Sequence, residues 1–159
     1  MWQAARMSSE PSSPAAPPPL RLDLGDFDAL GVATELVITL RAHAIAHETD
    51  AAATVSAPDG WHHLVITARH SGHVVLGIRY SDLTRSRLHN LSRALHQREW
   101  DLDEDDDGVT RRFPPGTEAS TAAFEILTVL PLAGAPADVR LVTGVDGTGR
   151  PIDLTVPLG

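Results

Sequence analysis

Cysteine and lysine are both absent from the chain. The lack of cysteine excludes disulfides, zinc–thiolate sites and cysteine nucleophiles, and nothing in the composition indicates an oxidising compartment. The lack of lysine excludes Schiff-base chemistry and a lysine general base. We therefore expect a cytoplasmic protein without thiol or amine chemistry.

Positive charge is scarce as well. The 13 basic residues, all of them arginine, stand against 21 acidic residues, so the formal net charge is −8. Nucleic-acid binding needs clustered cations, and we expect neither DNA nor RNA as a partner. Aromatic residues make up 4% of the chain and hydrophobic residues 42%. This composition is typical of one globular domain with a core of Leu, Val, Ile and Ala.

No membrane segment is predicted. The longest apolar stretch, residues 30–46, contains Glu35, Arg41 and His43, so we expect it to be too short and too polar to cross a bilayer. No apolar core follows Arg6 near the N-terminus, and a signal peptide is not expected.

Composition divides the chain into three parts. Residues 1–22, rich in proline, serine and alanine, are predicted to be a disordered arm because they bury too little apolar surface to become ordered. Two roles remain open for the arm, a proline-rich ligand or a translated leader. Residues 23–138 are predicted to form an α+β domain. Residues 139–159 are predicted to be an extended or hairpin tail around the turn signal at residues 146–149.

The pattern of apolar residues predicts helices and strands alternately along the domain. A first helix is predicted over about residues 27–47, because apolar residues recur there at helical spacing. They are Leu30, Ala33, Val37, Leu40 and Ala44. Strands are predicted at residues 53–57, 61–69 and 73–80. A second helix should end near Trp100, a charged hairpin should follow, and a third helix should run from Thr117 until Pro131 ends it.

The turn between the second and third strands fixes their register. A three-residue loop at residues 70–72, with Gly72 in the left-handed conformation, pairs Ala68 with Val74 and Ile66 with Leu76. This register keeps the apolar residues of each strand on one face. The predicted fold is therefore α+β: helix, three-stranded antiparallel meander, helix, two-stranded hairpin and helix, with the helices packed on one face of the sheet.

This order of elements resembles that of the type III secretion chaperone and YbjN-like superfamily, in particular its actinobacterial peptide-binding chaperone (TY-Chap-like) branch. The local resemblance lies in the leucine-rich residues 91–101, where the family tends to place Gly-Trp after its middle helix. Here Glu99 replaces that glycine before Trp100. The resemblance implies a non-catalytic homodimer that holds an extended segment of a partner protein by strand addition.

The face opposite the helices is the predicted partner-binding surface. Its predicted residues are Val65, Thr67, Val75, Gly77 and Arg79. Valine and threonine make this surface mildly apolar. Gly77 leaves room for a guest backbone, although a lone glycine can instead ease the twist of a sheet.

Metal and catalytic sites are weakly supported. His43 and His47 stand four residues apart without the glutamate of the HExxH pattern. The acidic run at residues 101–108 opens like a calcium loop, but proline occupies the twelfth position of that loop. No G-x-S-x-G motif occurs. We predict no catalytic residue, no cofactor and no metal.

The sequence therefore favours a peptide- or protein-binding, chaperone-like adaptor. Alternatives are an accessory subunit that stabilises or orients a partner enzyme, for example in peptide natural-product biosynthesis, or a small enzyme or metal-binding domain. A homodimer is predicted because a three-stranded meander leaves a free edge.

Overall fold

Eight strands and three helices form within residues 16–56, 62–79, 85–96, 98–103, 108–133 and 139–155, which the computed structural model describes. Their order is β1 (Leu20–Asp23), α1 (Ala29–His47), β2 (Ala51–Ser56), β3 (His62–Ala68), β4 (Val74–Arg79), α2 (Arg85–Leu95), β5 (Asp101–Asp103), β6 (Gly108–Phe113), α3 (Ala119–Ala133), β7 (Val139–Asp146) and β8 (Pro151–Ile152).

The strands form one antiparallel sheet in the order β1-β7-β2-β3-β4-β6-β5, and β8 pairs with β7. The α+β class is confirmed. The predicted sequence of helix, three strands, helix, two strands and helix describes only the middle of the chain, because β1 precedes it and β7 and β8 follow it.

Strand β7 lies inside the sheet, between β1 and β2. Residues 141–146 pair with β2, and residues 139–142 pair with β1 along the other edge. The predicted boundaries at residues 22 and 138 therefore cut through the sheet, and the predicted tail is a hairpin that belongs to the domain. Strand β6 covers the outer edge of β4 in the same way. The meander has no free edge, so the reason given for a homodimer was wrong.

The register of β3 and β4 is confirmed. Ala68 lies opposite Val74 and Ile66 opposite Leu76. The loop between them closes with a hydrogen bond from the amide of Arg69 to the carbonyl oxygen of His73 (2.8 Å). Gly72 has a φ of 101°, a conformation that a side chain would strain.

Side-chain alternation gives the sheet a buried face and an open face. On β3 and β4 the buried residues Leu64, Ile66, Leu76 and Ile78 are at most 1% exposed. Helices α1 and α3 pack on this face. Fully burying a side chain of this kind stabilises the fold by about 1.5–3 kcal/mol. The prediction that the helices pack on one face agrees with this arrangement.

Helix α1 buries a different stripe from the predicted one. Ala33, Val37, Leu40 and Ala44 are buried as predicted, but Leu30 is 41% exposed and the core contains Ala29 and Leu36 instead. Apolar residues surround this helix, so spacing alone does not select the face that meets the sheet.

The same helix meets the length and composition criteria for crossing a membrane, and the sequence argument that it is too short and too polar was wrong. The core helix of a soluble protein meets the same criteria. Within the described chain, α1 packs on β1, β2 and β3 and against α3, as a core helix does.

Helices α2 and α3 bury apolar residues at helical spacing, including Leu91, Leu95, Ile126 and Leu130. Their ends differ from the prediction. Helix α2 ends at Leu95, and α3 continues past Pro131 to Ala133. A proline in the last turn removes only one backbone donor, so the helix can continue to Ala133.

Candidate functional site

Two rows of small side chains cross the open face of the sheet. The register of five adjacent strands places one row at Thr143, Thr54, Val65, Gly77 and Thr110. It places the second row at Val145, Ala52, Thr67, Val75 and Arg112. We call these ten residues the open face. Apart from Arg112, none of its side chains is larger than valine.

The structure brings the predicted binding residues together. Val65 lies opposite Gly77, and Thr67 lies opposite Val75. Arg79 follows Gly77 on the same face of β4 and is exposed. Arg69 and His73 continue the same face at the β3–β4 loop.

Strand addition beside these residues is excluded, because their backbones are already paired on both sides. Strand β3 lies between β2 and β4, and β4 lies between β3 and β6. A guest strand therefore cannot pair with the main chain next to Val75 and Gly77. A guest on the open face would be recognised by side chains, and strand addition is confined to outer strands such as β1 and β5.

Gly77 forms a notch near the middle of the open face. A Cβ atom built on it meets only Cγ2 of Thr110, at 4.0 Å, and its φ is not positive. Gly108 differs, because a Cβ atom there would overlap the carbonyl oxygen of Ile78. The fold thus requires glycine at position 108 and has room for a side chain at position 77.

Large apolar side chains are exposed on the helical side of the molecule. Leu30, Ile38 and Ile45 of α1 lie within about 80° of one another around the helix axis, at 100° per residue. Their exposed fractions are 41%, 37% and 68%, and Phe27, just before the helix, is fully exposed. We call Phe27, Leu30, Ile38 and Ile45 the helical stripe. Sequence reasoning missed it because Leu30 was assigned to the core.

A contact between His43 and Asp146 links α1 to the β7–β8 hairpin. The Nε2 atom of His43 lies 3.1 Å from Oδ2 of Asp146, whose side chain is nearly buried. The hydroxyl of Thr148 binds the other carboxylate oxygen (2.6 Å), as does the amide of Arg150 (3.0 Å). The Thr148 hydroxyl, with His43 and these amides, holds the pKa of Asp146 well below its usual range. Because folding lowers the pKa of Asp146, the ionised carboxylate stabilises the fold at pH values above the ordinary aspartate pKa, and this stabilisation is lost as the pH falls below it.

The histidine pair that was weighed as a metal site lies beside this ion pair. The rings of His43 and His47 lie 4.2 Å apart, centroid to centroid. In the described ranges, no group of three or more His, Asp or Glu side chains could hold a metal ion. Asp50 binds the backbone and ring nitrogens of His70 (3.0 and 3.1 Å), which explains its lowered pKa. The centre of the acidic run, residues 104–107, lies outside the described residues.

A partly buried ion pair joins the segment after α2 to α3. Glu125 accepts two hydrogen bonds from Arg98 (2.9 and 2.7 Å) and one from Nε1 of Trp100 (2.9 Å). Burial raises the pKa of Glu125, but the bonds from Arg98 and Trp100 and the charges of Arg98 and Arg111 outweigh it, so the pKa is lowered. These hydrogen bonds hold the segment after α2 against α3.

No family model, curated protein or solved structure matches the chain. The chemistry of the open face and of the helical stripe is therefore the basis for a functional proposal.

Proposed function

We propose that the protein is a non-catalytic, chaperone-like adaptor of the cytoplasm that holds an extended segment of another polypeptide on its open face. The observation that carries the proposal is the small, uncharged centre of that face, with the arginines Arg69, Arg79 and Arg112 at its margins. Only Arg112 is charged among the ten residues, although 21% of the chain is charged. In an antiparallel sheet with one solvent-exposed face, that face normally carries polar residues.

The shape of the open face suits an extended guest. Valine, threonine, alanine and glycine form a low surface without bulky side chains, and the notch at Gly77 lies on β4, the fourth of the five strands in its row. A guest backbone can approach closely there. Guest side chains on either side of the backbone that lies over Gly77 would contact Val65 and Val75.

The accessory-subunit alternative uses the same face but a different guest. A subunit that orients an enzyme would contact a folded surface, so isolated peptides would not bind to it. The peptide experiment below therefore distinguishes the two readings.

We also propose that a second copy of the chain covers the helical stripe. Phe27, Leu30, Ile38 and Ile45 together expose on the order of 400 Å² of apolar surface, taking 150–250 Å² for a fully exposed large side chain. A stable interface buries roughly 800 Å² per partner, a little over half of it apolar. The stripe therefore supplies about the apolar area that each half of a homodimer needs.

Selection from a library of short displayed peptides tests the adaptor function. Wild-type protein is the bait, and the Gly77→Val variant is the counter-bait. We expect Gly77→Val to fold normally, with a stability change of at most about 1 kcal/mol in either direction, and to lose the selected peptides by filling the notch.

The Thr121→Val variant is the matched control, because it adds a valine methyl to an exposed position of α3 and should keep the selected peptides. The proposal fails if no peptide is enriched, or if every enriched peptide binds Gly77→Val as well as the wild type.

A further inference from the structure

One end of the open face carries a basic depression. It is lined by Arg69, Ser71, His73, Val75 and Arg112 and has a volume of about 270 Å³. Two guanidinium groups and an imidazole thus surround a valine in a chain whose net charge is −8. Cations grouped in this way stand out against the acidic background and create a local field that attracts anions.

Strand pairing brings these side chains within reach of one ligand. Arg112 lies directly opposite Val75 on the neighbouring strand, His73 is two residues from Val75 on the same face, and Arg69 pairs with His73 across the loop. Neighbouring strands are about 4.8 Å apart. A single carboxylate above Val75 can therefore accept hydrogen bonds from Arg112 and from Arg69 or His73.

The loop side of the depression is held in place. The hydroxyl of Ser71 lies 3.1 Å from Nδ1 of His73, which orients the ring. A Cβ atom built on Gly72 would lie 3.0 Å from Cβ of Pro115, so the loop packs closely against the turn after β6. Recognition then requires little rearrangement.

The neighbouring acids leave the depression net positive. Asp50 lies 3.4 Å from Arg69, but it also binds His70, and Arg69 remains half exposed. Asp101 lies opposite Thr110, two residues along β6 from Arg112, and the exposed Glu99 pairs with Arg111. Arg112 forms no ion pair with the described part of the chain and is exposed.

We propose that the basic depression binds a carboxylate of the guest segment, supplied by an Asp or Glu side chain or by a C-terminal carboxylate. This inference rests on the adaptor function and gives the bound segment a direction. The acidic group lies at the Arg112 end, and the apolar part of the segment extends over Val75 towards Gly77. Arginine forms paired, charge-assisted hydrogen bonds with carboxylates, which specify orientation as well as affinity.

Fluorescein-labelled peptides that differ in one carboxylate test the inference. The three probes are Thr-Val-Thr-Val-Thr-Val-Glu-amide, its Gln-amide analogue and the Gln peptide with a free C-terminus. We expect at least one carboxylate peptide to bind about tenfold more tightly than the Gln-amide peptide by fluorescence anisotropy. The free-carboxylate and Glu-amide probes distinguish the two carboxylate sources.

Arg112→Gln should abolish most of that tenfold preference and leave the affinity for the Gln-amide peptide unchanged. Arg93→Gln, which removes an exposed arginine from α2, changes the net charge equally and should have no effect. Equal binding of the three peptides to the wild type, with loss on Gly77→Val, would overturn the carboxylate site and keep the adaptor function. Equal effects of the two arginine variants would also overturn the site, whereas binding of none of the peptides would overturn it together with peptide binding by this face.

Discussion

Two glutamates hold backbone angles that glycine adopts without strain. Glu48 has a φ of 50° and Glu99 a φ of 62°. Glu48 ends α1, where its amide binds the carbonyl oxygen of Ala44. Glu99 lies between Arg98 and Trp100, which both bind Glu125. The left-handed angle at Glu99 therefore allows its two neighbours to reach the same carboxylate.

Glu99→Gly should stabilise the protein by about 0.5–1 kcal/mol. The left-handed conformation costs most residues about 1–2 kcal/mol, and glycine avoids that cost but loses more conformational entropy on folding. The lost ion pair with Arg111 matters little, since the Glu99 side chain is 84% exposed. Thermal unfolding should show a rise of roughly 2–3 °C. Glu118→Gly, at an ordinary φ, is the control; a fall in Tm for both variants would contradict this account of Glu99.

Position 99 also shows how far the conformation of a single residue can be predicted from the sequence. The angle at Glu99 gives a physical reason why glycine would suit the position. The identity of a residue does not reveal its φ, however, so a glutamate in this conformation could not be predicted from the sequence.

At the level of elements, local patterns predicted more than long-range pairing. The register of β3 and β4 follows from a short loop and from alternation, because both depend on residues that are close in sequence. The position of β7 between β1 and β2 depends on residues about ninety positions apart, and alternation alone does not name the partner of a strand. Helix α1 presents a related difficulty, because a helix that is apolar on all sides fits the core in several rotations.

Ile45→Glu tests the role of the helical stripe. It places a charge in the most exposed part of the stripe on α1, where Ile45 is 68% exposed, so it should separate the dimer without unfolding the monomer. Light scattering at micromolar concentration should give twice the 17.0 kDa chain mass for the wild type and 17.0 kDa for the variant. Ala46→Glu adds the same charge to a neighbouring exposed position, about 100° away around α1, and should remain a dimer. A monomeric wild type or a dimeric Ile45→Glu protein would contradict a second copy on this surface.

For the whole molecule, the sheet separates two surfaces of different chemistry. The helical stripe exposes phenylalanine, leucine and isoleucine, whereas the open face exposes valine, threonine and glycine and ends at the basic depression. Four of the five predicted binding residues belong to the open face and Arg79 continues it along β4, because one correct register fixes which residues of β3 and β4 lie together. Arg112 could not be predicted as their neighbour, since its place opposite Val75 depends on the pairing of β6 with β4.

Chemical shifts of methyl groups measure most directly whether the open face binds a guest. The Thr-Val-Thr-Val-Thr-Val-Glu-amide peptide is added to protein with labelled valine and isoleucine methyl groups. The account predicts that the signals of Val65 and Val75 shift on titration, while those of Ile38 and Ile45 on the helical stripe stay in place. Shifts confined to Ile38 and Ile45, or no shift at Val65 and Val75 when the peptide is in excess, would contradict it.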